Sequence, residues 1–413
     1  MKNNIILNEG YNNPKLIFDK GNGNKIVIKN KFLYDLSYSS GVIFLGHNHY
    51  IFKDSLKECI NKKISIFSNP NIYAYKLAKT IKSFFSNFNK VIFCSTGSES
   101  VIKALRICRA VSKKNIVVCV VGSWHGSVDQ TLFFPKTDLS PVPISSGLKE
   151  VDKKNILFIP YNDIDESRKI LNKFKNNINC ILIEPITASL PNKSVGLYLK
   201  FLESYCKKEK IILIFDEIVS AFRTKKGSVQ AQFDIKPDIT LIGKILGGGF
   251  PVGAIGLSKN IFNKINKLKT PVFFGGTFSA NTFSMLVGNN VITYIKNNLK
   301  LVDRLIKNCE IFENKVNSFI AKNNIDSKVY RFDTIVRVVF SRNEIHNRIQ
   351  RDFLEKKQSQ KKERFVKFLL KKNIYYPKNG IILLSLANNS QKDLKYIIKI
   401  FCVGLNKYFR INK

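Results

Sequence analysis

Acidic residues are scarce in this sequence. Asp and Glu total 30 against 68 Lys and Arg in 413 residues, a formal charge of +38. There are only four histidines and no H-E-x-x-H run, so no metal site is expected. The eight cysteines, at 59, 94, 108, 119, 180, 206, 309 and 402, form no C-x-x-C pair. Several sit in apolar runs of strand length ("NIVVCVV", "NCILIEP"), which reads as buried, reduced thiols in a cytoplasmic protein. No apolar run has the length of a membrane span, so no membrane partner is expected. The opening "MKNNIILNEGYNNPK" has neither a long apolar core nor a small-residue cleavage site, and it does not read as a signal peptide. Internal repeats and low-complexity linkers are also missing.

The positive charge is mostly lysine and is scattered along the chain. A nucleic-acid binder would cluster arginine and expose aromatics, and neither pattern is evident, so no nucleic acid is expected as a partner. The excess charge should still attract small anions, phosphates included. The length suggests two domains, or one large α/β unit with a smaller companion. A hydrophobic fraction of 44% allows extensive burial.

The first forty residues carry a turn signal ("GNGNK") between short extended runs. Helical patterns follow at about 51–62 and 71–86. From Val91 onward, apolar runs of strand length alternate with helical patterns: "VIFC" at 91, "NIVVCVV" at 115, "NILFIP" at 155, "CILIEP" at 180, "IILIFD" at 211 and "ITLIG" at 239. Runs apolar on both faces predict a mostly parallel sheet covered by helices, with ligands at the carboxyl ends of its strands. After about residue 290 come a long helical pattern, the run "VYRFDTIVRVVF", and the very polar "RNEIHNRIQRDFLEKKQSQKKERF", which reads as a mobile or solvent-facing helix. A helix, the short strand "GIILLSL" and a final helix from about Ser390 complete a smaller α+β domain.

Four groups of residues stand at the predicted strand ends. In "CSTGSESVIKALRICRA", Thr96, Gly97 and Ser98 precede an amphipathic helix whose free N–H groups and partial positive charge suit a phosphate, although Ser98 with Glu99 could equally cap the helix. In "GSWHGS", Trp124 beside small residues can stack on a flat ligand or can be structural. In "IILIFDEIVSAFR", Asp216 and Glu217 follow a fully apolar run, where an acid is costly unless something cationic meets it, such as a protonated ring nitrogen. In "LIGKILGGGFPVGAIG", Lys244 precedes three glycines that would let backbone and cofactor approach closely. A lysine that forms a Schiff base must be held in place and be partly deprotonated, and burial or neighbouring cations achieve this. Asp216, Lys244 and the turn at Ser98 together match pyridoxal phosphate, whose ring nitrogen, aldehyde and phosphate each need one of these partners.

With those motifs assembled, the sequence resembles the class III pyridoxal-phosphate aminotransferases of fold type I, and within them glutamate-1-semialdehyde 2,1-aminomutase and its relatives. The series "DEIVSAFR", "KPDITLIGKILGGGFPVGAIG" and "GGTFSANTF" carries the likeness by its order and spacing. It extends from "IFLGHNHYIF" near residue 43 to "FSANTFSMLVGN" near 289, and persists more weakly to the C-terminus. The resemblance implies a large cofactor-binding domain at 51–290, a small C-terminal α+β domain at 291–413, and an N-terminal segment, 1–50, packed on the small domain. It implies that Lys244 is the imine lysine and Asp216 the partner of the ring nitrogen. Val219 would lie on one ring face, and Trp124 would replace the usual tyrosine or phenylalanine on the other. Thr96, Gly97 and Ser98 would hold the phosphate, Thr277 would reach the phosphate of a neighbouring subunit in a homodimer with shared sites, and His125 and Glu184 match positions near the cofactor.

The substrate contacts depart from that pattern. The aminomutase's N-terminal S-P-V-R-like stretch has no counterpart in "NNPKLIFDKGNGNK". Ser189 stands where the pattern has an asparagine. "YYPKNGIILLS" is short and lacks a glutamate, and "SANT" replaces "SGNP". The expected activity is therefore transfer of an amino group from an amine donor to a carbonyl acceptor. The alternatives left open are the aminomutase itself, a specialised aminotransferase acting on a keto-sugar or another carbonyl compound, and a non-catalytic relative that keeps the fold.

Overall fold

The computed structural model describes residues 16–411. Of the N-terminal stretch compared above, residues 12–15 lie outside the described residues. The chain forms two compact units. One comprises Tyr50–Asp303 with Asn343–Phe353. The other comprises Met1–His49, Arg304–Arg342 and Leu354–Lys413.

The larger unit is built on a seven-stranded sheet. Its order is Lys90–Cys94, Gly253–Leu257, Ile239–Gly243, Ile212–Asp216, Ile178–Ile183, Ile116–Val120 and Ile156–Ile159. The last five strands run parallel, and Gly253–Leu257 runs antiparallel to both its neighbours. Six of the seven are the apolar runs read from sequence. The central ones are buried along their whole length, as expected for strands covered on both faces. The seventh, "GAIGL", is absent from the sequence-based strands because its glycines carry little strand propensity. Helices Gly97–Ser112, Ile164–Phe174 and Gly196–Glu209 follow strands of this sheet. Val117, Cys119, Cys180, Leu182, Ile212 and Ile214 lie in its core. All eight cysteines are buried and free. Burial pushes the Cys94 thiol up to about 11 and raises those of Cys108, Cys119 and Cys206, which leaves little thiolate for nucleophilic chemistry.

The smaller unit has two sheets. One joins Lys20–Asn22, Lys25–Ile28 and Lys31–Asp35 to Ile374–Tyr375, so the N-terminal strands pair with a strand from the C-terminal region. The other joins Lys328–Phe332, Ile335–Val339 and Ile381–Leu383. The final helix, Gln391–Phe409, is capped by the Ser390 side chain.

The polar run at 342–365 differs from its expected solvent-facing form. It forms two helices, Arg348–Lys357 and Ser359–Lys371, that bury Arg351, Glu355 and Phe365. Phe365 meets Phe340, Phe401 and Phe409 in an aromatic cluster, and Glu355 accepts from the buried Arg337 guanidinium at 3.1 Å. High charge hid a buried face that holds a guanidinium and a carboxylate as well as Phe365. Residues 343–353, at the start of this run, pack with the larger unit.

Candidate active site

The larger unit gathers most of the residues singled out above at the carboxyl ends of its parallel strands. The strand Lys90–Cys94 ends just before Thr96, which is the N-cap of helix Gly97–Ser112. The Thr96 hydroxyl accepts from the Glu99 amide at 3.1 Å, and Glu99 Oε2 accepts from the Ser95 amide at 2.6 Å. Capping thus falls to Thr96 and Glu99. Ser98 plays no part in it. Its Oγ accepts instead from the Ser127 amide at 3.1 Å, which ties the helix start to the next strand-end loop. Gly126 sits in that loop at φ +78, and a Cβ there would overlap Ser98 Oγ. The helix start leaves the Gly97 and Ser98 amides without intrahelical acceptors, beside the positive end of sixteen residues of aligned peptides.

Asp216 terminates the strand Ile212–Asp216 and is only 2% exposed. Its Oδ1 accepts from the Ile218 amide at 3.1 Å, and its Oδ2 lies 2.8 Å from His125 Nδ1. His125 is itself 4% exposed, and its Nε2 is buried with no hydrogen-bond partner among the described residues. Glu217, next along the chain, is turned away. It accepts from the Val229 and Gln230 amides and the Ser220 hydroxyl. Burial pushes its carboxyl up to about 7 despite those donors. Glu217 thus fixes the following loop, whereas Asp216 faces the His125 ring.

Glu184 follows the strand Ile178–Ile183 and is 3% exposed. It accepts from the Trp124 amide at 2.9 Å, and its own amide donates to Ser123 Oγ at 3.1 Å. Burial pushes its carboxyl up to about 8, Asp216 adds to the rise, and the Trp124 amide, Lys244 and Arg348 oppose it. Trp124 is exposed and Val219 is half-buried.

Lys244 follows the strand Ile239–Gly243 at φ +48, left-handed backbone that a non-glycine residue rarely adopts. Burial lowers its pKa, opposed by the negative charges of Asp216 and Glu184, while Arg223 lowers it further. The glycines after it serve mainly to pack the turn. Gly248 lies at φ +59, and a Cβ there would stand 2.6 Å from Val291 Cγ2 on the helix Thr282–Asn297. Close approach is needed, but to a neighbouring helix.

Thr277 follows Gly276, where a Cβ would stand 3.1 Å from Glu99 Oε1 on helix Gly97–Ser112. It is exposed on a loop that, with Ser68, Asn69, Pro70 and Tyr75, lines a cavity of about 610 Å³. The sequence reading missed Arg348 and Arg351, which the polar run concealed. Arg351 is buried and donates to the Ser189 carbonyl and to Asp352. Among the described residues, no group of His, Cys, Asp and Glu could hold a metal ion, and no helix is long and apolar enough to cross a membrane.

Residues 6–362 match the family described as aminotransferase class-III. Glutamate-1-semialdehyde 2,1-aminomutase of Wigglesworthia glossinidia brevipalpis is 32% identical over 323 residues, covering 76% of this chain and 73% of that protein. The enzyme of the same name from Thermodesulfovibrio yellowstonii is 29% identical over 412 residues, covering 94% and 93%. Among solved structures, a glutamate-1-semialdehyde aminomutase of Pseudomonas aeruginosa PAO1 in complex with PMP superposes with a TM-score of 0.84 at 16% identity, over 95% of this chain and 88% of that one. The fold is that of the fold type I pyridoxal-phosphate enzymes, and the chain belongs to the class III aminotransferase family, whose chemistry is amino-group transfer.

Proposed function

We propose that this chain binds pyridoxal 5′-phosphate at Lys244 and Asp216 and uses it to move an amino group from an amine donor to a carbonyl acceptor. The observation that carries the proposal is the buried Asp216 carboxylate, held by His125 at the end of a fully apolar strand, in the same cleft as a lysine whose pKa burial has lowered. The orphaned His125 Nε2 and the cradle of Gly97, Ser98 and Gly126 support the fit of the cofactor.

When bound, pyridoxal phosphate supplies an aldehyde that takes and gives an amino group and a ring that withdraws electrons. The chain supplies the rest. The amides of Gly97 and Ser98, with Thr96 at the cap, bind the phosphate. Asp216, oriented by His125, holds a proton at the ring nitrogen. Val219 and Trp124 cover the two ring faces, and Glu184 supports the loop carrying Trp124. Lys244 Nζ holds the cofactor between turnovers, then takes a proton from the substrate carbon and returns it. A lowered pKa puts Nζ in the basic form that this requires.

Thr277 and the partner subunit's phosphate would meet in a homodimer with shared sites. The exposed Phe273 and Phe278 on the Thr277 loop, and Tyr75 across the cavity, support a second copy as the partner of this face. The eight free thiols support a cytoplasmic setting.

The test is borohydride reduction of the cofactor-loaded protein followed by peptide mass mapping. Added mass on the peptide carrying Lys244 is expected, and a colourless protein with no added mass would overturn the proposal. A second reading, aminomutase activity, is favoured by the names of the relatives at about 30% identity. Tracing a labelled nitrogen separates the two. Retention within one molecule indicates a mutase, and appearance in a second molecule indicates a transaminase.

A further inference from the structure

Thr277 and Phe278 form the tip of a four-residue turn, Gly276 to Ser279, closed by the Ser279 amide donating to the Gly276 carbonyl at 2.9 Å. Both tip residues are exposed. The turn lies in a stretch, 271–280, with no helix or strand of its own. Its entry is fixed by packing, since Val272 and Phe274 lie against the core of the large sheet. Side chains from two helices hold its backbone. Arg106 Nη1, on helix Gly97–Ser112, donates to the Phe273 carbonyl at 2.9 Å. Asn71 Nδ2, at the N-cap of helix Ile72–Lys82, donates to the Ala280 carbonyl at 2.9 Å.

The base of the turn rests on one ion pair. Lys103 and Glu99 face each other at 2.6 Å on helix Gly97–Ser112, and the lysine side chain is 4% exposed. Lys103 Nζ donates to Ser279 Oγ at 3.3 Å, and a Cβ on Gly276 would stand 3.1 Å from Glu99 Oε1 and 3.7 Å from Lys103 Nζ. Both corner residues of the turn thus meet the pair, while its two tip residues are left to solvent. The other Glu99 oxygen accepts from the Ser95 amide at 2.6 Å, immediately before the Thr96 cap. The pair therefore ties the Thr277 turn to the helix start that would seat a phosphate. A buried ion pair adds little net stability over well-packed apolar chains of similar volume. What an apolar chain in place of Lys103 could not supply is the donor to Ser279.

We infer that Lys103 is a positioning residue for Thr277, and that through this turn it acts on the cofactor phosphate of a second copy rather than on that of its own chain. The inference rests on the reading above in which Thr277 reaches a neighbouring subunit's phosphate, and it adds the device that holds Thr277 in place. One helix thereby serves two sites. Its first amides bind one phosphate, and its second turn presents Thr277 to the other.

The test titrates the full-length apoprotein with pyridoxal phosphate, and with pyridoxal as the phosphate-free control, read by the visible band. Lys103→Met should raise the dissociation constant of pyridoxal phosphate about three- to tenfold, the scale of one lost hydrogen bond, and leave that of pyridoxal within about twofold. Ser279→Ala, which removes the acceptor and keeps the charge pair, should do the same. Lys103→Arg, which keeps a donor, should recover part of the loss. In a Thr277→Val background, Lys103→Met should have no further effect. Hybrid dimers locate the effect. One chain carries Lys244→Ala and so lacks the visible band. Adding Lys103→Met to that silent chain should weaken binding at the intact Lys244 of the other chain by the same factor. Equal losses for both ligands, native binding in Ser279→Ala, an undiminished effect of Lys103→Met beside Thr277→Val, or an unaffected intact site in the hybrid would each overturn the inference. Failure of the shared-site reading looks different, because Thr277→Val would then bind pyridoxal phosphate as tightly as the native protein.

Discussion

His125 Nδ1 stands 2.8 Å from Asp216 Oδ2, and the two side chains are 4% and 2% exposed. One belongs to the loop after Ile116–Val120 and the other ends Ile212–Asp216, so the pair joins loops of two strands separated in the sheet by Ile178–Ile183. A buried carboxylate is tolerated only with partners, and here the ring and the Ile218 amide supply them. In the proposed site His125 positions Asp216. Asp216→Asn should lower kcat by roughly 10²–10⁴-fold, the scale of losing a proton-holding group. His125→Ala should lower it by less and shift the absorbance maximum of the bound cofactor, whereas His125→Asn, which can still donate to Asp216, should recover part of both. An unmoved absorbance maximum in His125→Ala would assign the histidine a packing role only.

Gly126 tests the phosphate cradle. At φ +78 it is already in backbone that favours glycine, and a methyl group would run into Ser98 Oγ. Gly126→Ala should push Ser98 off the Ser127 amide and raise the dissociation constant of pyridoxal phosphate by at least about tenfold, the scale of one displaced hydrogen-bonded contact. Pyridoxal, which lacks the phosphate, should bind both proteins alike. An equal loss for both ligands, read by absorbance titration, would place the defect outside the phosphate cradle.

The sheet was legible wherever an apolar run was long enough to be buried on both faces, as in "CILIEP" and "IILIFD". It was illegible at "GAIGL", where glycine suppresses the strand signal although the segment lies between two strands. The candidate site was legible as residue types at strand ends. The division of labour within it was not, because Thr96 and Ser98 are equally good caps on paper, and Asp216 and Glu217 are equally acidic. Only the fold decides which of each pair is consumed by the backbone. Arg348 and Arg351 escaped because a basic run looks the same whether it faces water or packs into a unit of the fold. Burial of one face separates the two cases, and that depends on contacts remote in sequence.

Lys103 and Glu99 form a pair 2.6 Å apart on successive turns of helix Gly97–Ser112. The lysine side chain is 4% exposed and that of the glutamate 26%; among the described residues the one other partner of the ammonium is Ser279 Oγ at 3.3 Å. Removing the acid strands a buried cation. Glu99→Ala should therefore cost about 3–5 kcal/mol in denaturant unfolding. Lys103→Met, which replaces the charge with an apolar chain of similar length, should cost far less. The double variant should recover much of the Glu99→Ala loss, since no unpaired charge then remains. Strictly additive single losses would show that the two side chains act independently.

Glu184 gives the apoprotein a pH dependence whose sign follows from its environment. Burial and the neighbouring Asp216 raise its carboxyl from 4.5 to about 8, so between those values the folded state keeps a proton that the unfolded state has released. Stability from this group is full below about 4.5 and is lost as pH climbs to about 8, at a rate of roughly 1.4 kcal/mol per pH unit where the two states differ by a whole proton. Lys244 acts oppositely at higher pH. Its lowered pKa means the folded state holds fewer protons than the unfolded chain just below 10.5, so its contribution grows with rising pH there. Glu184→Gln keeps an acceptor for the Trp124 amide and cannot ionise. Urea unfolding of the apoprotein at intervals from pH 5 to 8.5 should show a steeper decline for the native chain than for Glu184→Gln, the curves diverging across that window. Parallel curves would mean that Glu184 is ionised throughout, its charge borne by the Trp124 amide and the neighbouring cations.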